Sequence, residues 1–178
     1  MNRAGKWAVG ILLTAAAAAG ALQTVSAPTQ TEMPSAQQNE ACGYQWAYSP
    51  APQLSEAFDA EVKSMDPEAS GRVEYFGEDC VHPDGTSDFL TKETDFYFRL
   101  KVNDLKQEEE FGNWVVKVME YVTQIPREDL PGSYGFVEFW FEETEAEHIA
   151  FRVPIQNYID EAQGKNGAEL FQMFYNPP

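Results

Sequence analysis

Leu54, Phe58, Val62 and Met65 recur at helical spacing with Glu56, Asp59, Glu61 and Lys63 between them, which predicts a short amphipathic helix closed by Asp66-Pro67. Val73 to Cys80 then reads as a strand, and Asp84-Gly85 within His82 to Ser87 supplies the turn of a hairpin. In the next segment Phe96, Phe98, Leu100 and Val102 alternate with Tyr97, Arg99 and Lys101, the period of a strand with one buried and one wet face. Beyond Asp104, the expected cap, Phe111, Trp114, Val115, Val118, Val122 and Ile125 form one apolar helical stripe that ends at Pro126.

After the turn Pro131-Gly132, a strand from Tyr134 to Glu142 places Val137, Phe139 and Phe141 on one face and Phe136, Glu138, Trp140 and Glu142 on the other. A fourth strand, His148 to Ile155, turns Ile149, Phe151, Val153 and Ile155 inward and His148, Ala150 and Arg152 outward. Helical stretches from about Tyr158 to Gln163 and from Ala168 to Phe174 finish the chain. Isolated hairpins are unstable, so two of them side by side predict an α+β fold. The expectation is a two-layer sandwich, a four-stranded antiparallel sheet with two helices on one face, in the order α-β-β-α-β-β-α. The same order admits a duplicated α-β-β unit, Leu54 to Val102 and then Asp104 to Ile155, although residue identity between the halves is thin.

The first residues change the picture of where the domain works. Arg3 and Lys6 precede an apolar stretch from Trp7 to Leu22 with small residues after it, the pattern of a secretory signal peptide within residues 1–27, cut after Ala21 or Ala27. Sixteen residues fall short of the roughly 20 that span a bilayer, so the expectation is cleavage and a secreted or extracytoplasmic product with no stable membrane insertion. Residues 28–41 turn to Pro, Thr, Gln, Ser and Asn and read as a flexible polar spacer, which leaves 42–178 as a single globular domain. Against 12 Lys+Arg stand 29 Asp+Glu, a net charge of −17, which excludes a nucleic-acid binder that works by neutralising phosphates. The 4 Trp, 8 Tyr and 12 Phe are enough to fill a core, so the acidity is not that of a disordered tail.

Two cysteines in an exported chain predict one disulfide, Cys42 to Cys80. A metal site is not expected; the calcium alternative would draw on Asp84 and Asp88 in the hairpin loop, where turn chemistry already accounts for Pro83, Asp84 and Gly85. No phosphate loop, nucleophile elbow or zinc-protease motif occurs, and no cofactor is implied. Carboxylate pairs fare poorly as catalysts. Glu138 and Glu142 would lie about 13 Å apart along a strand, and Glu93 with Asp95, at about 6.7 Å, has no apolar flank to raise a pKa.

Tyr97, Phe136 and Trp140 fall on the face of the sheet turned away from the core, together with Arg99, Glu138 and Arg152. Large aromatics there need a cover. The C-terminal Leu170, Phe171, Met173, Phe174 and Tyr175 are the nearest at hand, a second copy is an alternative, and a ligand is the third. The functional expectation is a non-catalytic exported binding domain that takes an extracytoplasmic protein or glycan on Tyr97, Phe136 and Trp140, with Arg99, Glu138 and Arg152 as polar anchors. The alternatives are a carboxylate-based extracellular hydrolase, using groups near Cys80 and His82 or Glu93 with Asp95, and a purely structural envelope module.

Overall fold

A computed structural model describes residues 42–175; the expected signal peptide and spacer lie outside the described residues. The chain runs β1 (Gly43–Pro50), α1 (Pro52–Met65), β2 (Ser70–Val81), β3 (Ser87–Lys101), α2 (Glu108–Gln124), β4 (Ser133–Glu142), β5 (His148–Pro154), α3 (Ile155–Asn157) and α4 (Gly167–Phe174). A single 3₁₀ turn, Arg127–Asp129, leads into β4, and α3 continues as a π-helical turn, Tyr158–Ala162.

The fold is α+β, and its sheet differs from the expected one in two ways. Five strands lie in the order β1-β2-β3-β4-β5, and the central pair, β3 with β4, is parallel. The parallel join follows from α2: 17 helical residues rise about 25 Å, enough to carry the chain from the end of β3 back to the level of Glu93, where β4 begins to pair with it. The added strand, Gly43–Pro50, pairs antiparallel with β2 from Gly43↔Val81 to Pro50↔Glu74. Cys42 is bonded to Cys80, Cα to Cα 5.3 Å, so the chain enters this strand already tied to its neighbour.

The parallel join also removes the duplication. A rigid copy of α1-β2-β3 set alongside the first, with its helix on the same face, would make β4 antiparallel to β3. The observed direction of β4 is the opposite.

The inner face carries the core. Val73, Phe96, Phe98, Val137, Phe139, Phe141, Phe151 and Val153 meet Phe58 and Val62 of α1 and Phe111, Val115, Val118 and Val122 of α2, all essentially inaccessible to water except Phe151, which is 7% exposed. Phe111 stacks on Phe141 at 4.2 Å, and Phe58 meets Phe96 edge-on at 5.2 Å. Asp104 does not cap α2. Its carboxylate accepts the Lys106 amide in a separate turn, and the helix begins after Gln107 with Glu108, Glu109 and Glu110 in its positive first turn.

The C-terminal segment packs on this same inner side: Leu170 and Phe171 are buried, with Phe171 against Phe111, Phe151 and Tyr175. It therefore does not cover the outer aromatics, contrary to the expectation that the chain's own tail would hide them. Among the described residues no helix is long and apolar enough to cross a membrane.

Candidate functional site

Strand periodicity and register together build the outer face. Phe136, Glu138 and Trp140 are half-buried while Val137, Phe139 and Phe141 between them are fully buried, so the phase of β4 is the one its sequence predicts. Register then sets the neighbours: Tyr97 lies opposite Glu138, which lies opposite Arg152, and Arg99 lies opposite Trp140, which lies opposite Ala150. All six candidate residues thus share one patch over β3, β4 and β5.

Within the patch the rings do not lie flat as a platform. Side chains stand off the sheet and pack laterally, each ring meeting a cation or a ring on a neighbouring strand. The Arg72 guanidinium of β2 sits 3.9 Å from the Tyr97 ring centre, Tyr97 meets Phe136 edge-on at 5.9 Å, and Arg152 lies 4.1 Å over Phe136. Trp140 stands between β3 and β5, with Arg99 5.1 Å from its ring centre and His148 stacked on it at 3.9 Å. Arg152 donates from Nε to Glu138 at 2.9 Å; burial opposes its charge, but that hydrogen bond and the Glu138 charge outweigh it and raise its pKa. Arg72 and His148 were not among the expected site residues, and they enter because cross-strand register, a long-range property, puts them beside the predicted rings.

Between these walls lies a cleft of 370 Å³ lined by Ser70, Gly71, Arg72, Tyr97, Phe98, Arg99, Glu138 and Trp140. One donor there is uncommitted. Arg99 approaches Glu142 only at 3.8 Å and makes no hydrogen bond among the described residues, whereas the Trp140 indole Nε1, also without a partner among them, is buried out of reach of the cleft. Burial pushes the Tyr97 phenol well above its ordinary pKa, with Asp95, Tyr48 and Glu74 adding to the rise, so it stays a neutral donor.

Asp95 departs from its sequence reading. The spacing gives it no apolar flank, yet it is 1% exposed, beneath this face, where β4 bulges: Thr94 faces Tyr134 while Phe96 faces Val137. Gly135 is the residue that makes room, since a Cβ there would fall 1.9 Å from the Asp95 Oδ1, the oxygen that accepts the Phe136 amide at 3.3 Å. The Asp95 pKa is raised to about 6, by burial first and by Glu93 and Glu74, against the Phe136 amide and Arg152. The Asp95 carboxyl is enclosed in the bulge, which it holds through the Phe136 amide.

The other candidates have local duties. Cys80 is in the disulfide, so the groups near it include no thiol. Asp84 accepts both the hydroxyl and the amide of Thr86, which lowers its pKa, and Asp88 pairs with His82 at 3.0 Å in the hairpin loop. Sequence reasoning missed the most exposed aromatics among the described residues: Tyr44, Trp46 and Tyr48 on β1 are 73%, 63% and 52% exposed, with Trp46 stacked on Phe76 at 5.2 Å. Their period of two between Gly43 and Pro50 was the available signal. Comparison with protein-family models, with curated proteins and with solved structures finds no match to this chain, so its geometry is the ground on which its function is read.

Proposed function

We propose that this chain is an exported, non-catalytic binding domain whose outer sheet face takes an extracytoplasmic glycan unit in the cleft between Arg72, Tyr97, Arg99, Glu138 and Trp140. The observation that carries the reading is the cleft itself, 370 Å³ on a face that no described helix covers, with aromatic walls and the weakly paired Arg99. Its volume is at the low end of small-ligand pockets, which favours one or two sugar rings over a protein surface. Ring edges supply apolar contact, the Arg99 fork supplies donors to hydroxyl or carboxylate oxygens, and Glu138, held by Arg152, supplies an acceptor. The disulfide is compatible with an extracellular location, and the leader-like first residues support export.

The test is retention on an array of neutral and acidic oligosaccharides followed by calorimetry with Arg99→Ala and Trp140→Ala. Arg99 is mostly exposed and weakly paired, so its truncation should lower affinity about tenfold or more with little change in melting midpoint. Absence of binding to every oligosaccharide, or binding that survives both substitutions, ends this reading.

A further inference from the structure

The edge strand β1 has a feature the glycan-binding reading does not use. Gly43–Pro50 contains no charged residue in a chain of net charge −17, whereas each of the other four strands carries at least one. Exposed sheet edges are ordinarily guarded by Lys, Pro, shortness or a covering element, because their unpaired amides and carbonyls invite another strand. The opposite edge, β5, is guarded in this way: seven residues with His148, Arg152 and a terminal Pro154. Among the described residues β1 pairs with β2 on one side only, and Pro50 at its end is its one guard. Of the charges on β2 beside it, Glu78 is paired with Lys92 at 3.4 Å and Glu74 with Arg72, while Asp79 has only the Gln45 side-chain amide of β1 opposite it.

The residue pattern of the strand is symmetric. Read outward from Trp46, it gives Gln45 and Ala47, then Tyr44 and Tyr48, then the small Gly43 and Ser49. A two-fold axis through Trp46 sets residue i of one copy against residue 92 − i of the other, so this pattern brings aromatic against aromatic and small against small. We propose that β1 is the homodimer interface of this protein, pairing antiparallel with β1 of a second copy in the register Trp46 to Trp46. Tyr44 of each copy then faces Tyr48 of the other, and three aromatic cross-strand pairs form on the outer face while the edge amides are satisfied. Like-charged copies can approach here because this strip is the uncharged part of an acidic molecule. The two sheets become one sheet of ten strands, with both clefts opening on the same side.

The experiment is sedimentation of the protein obtained by expressing the full chain, over about 1 μM to 1 mM, with amide hydrogen exchange read along β1. The expected result is a mass that rises from one chain to two, with exchange of the β1 amides slowing as the dimer forms. Trp46→Lys and, independently, Tyr44→Lys should weaken association at least tenfold. The Tyr44 ring stacks on no other ring among the described residues, so its loss leaves the fold intact where that of Trp46 need not. Leu90→Lys, an equally exposed apolar position on the same face but away from the edge, should leave association unchanged. A mass of one chain throughout overturns the proposal, as does a dimer that survives both Lys substitutions in β1. Concentration-independent protection of β1 in a monomer also overturns it, by placing another segment of the same chain on the edge. None of these outcomes depends on whether the cleft binds a sugar.

Discussion

Asp95 carries the fold's most costly charge. Its carboxyl sits in a bulge that Gly135 opens for it, under rings and between Glu93 and Glu74, with a single amide and the more distant Arg152 to favour ionisation. A pKa raised from 3.8 to about 6 means that the folded state holds its proton more tightly than the unfolded chain. Stability from this residue is therefore complete below about pH 4 and is lost as pH rises through about 6, at a cost of roughly 2 to 3 kcal/mol. Asp95→Asn keeps an oxygen for the Phe136 amide and removes the charge. Urea unfolding at pH 8 should show the variant about 1 to 3 kcal/mol more stable than the parent, with the difference closing by pH 4. A variant less stable at pH 8 would show that the carboxylate is held by partners and not merely tolerated, and a gap that persists at pH 4 would show that the gain does not come from removing its charge.

Helix α4 depends on α2 for more than apolar contact. Glu109 accepts the Ala168 amide at 2.9 Å and Asn113 accepts the Gly167 amide at 3.1 Å, so side chains of one helix satisfy the open first turn of the other. The backbones meet at Gly112, where a Cβ would lie 1.7 Å from the Gly167 carbonyl oxygen. Gly112→Ala should raise the intrinsic helix propensity of α2 by nearly 1 kcal/mol and still destabilise the protein by about 2 to 4 kcal/mol, because α4 with Leu170 and Phe171 must move. A raised or unchanged urea midpoint would place α4 elsewhere. Glu108, Glu109 and Glu110 read adequately from the sequence as dipole partners of their own helix, but Glu109's service to α4, 59 residues away, is a property of packing that no local pattern carries.

What was legible at this scale was periodic: the stripe of α2 and the faces of β3, β4 and β5 follow from spacing alone, and with them the six outer residues. The strand β1 was overlooked because eight residues with exposed aromatics and no buried face lack the inward apolar alternation by which strands are recognised. The parallel join was readable in principle, since a long helix between two strands is the signature of a crossover rather than of two abutting hairpins.

At the scale of the whole molecule, one covalent bond decides how firmly the first strand belongs to the domain. β1 buries little of its own surface and contacts the sheet through β2 alone, so it contributes weakly to the core. The bond from Cys42 to Cys80 closes a loop over a sequence separation of 38 that contains α1 and most of β2. Constraining a loop of that size in the unfolded chain is worth roughly 3 to 4 kcal/mol. Alkylation of the unreduced protein should find no free thiol, and after reduction the melting midpoint should fall by on the order of 10 °C. The loss should also be local in its first stage: the amides of Tyr44 to Tyr48 should exchange rapidly under conditions in which β3, β4 and α2 remain protected, because those elements hold the core without β1. Two free thiols before reduction would deny the bond in the native protein, and reduction that leaves β1 protected would show the strand to be held by its aromatic contacts with Phe76 instead.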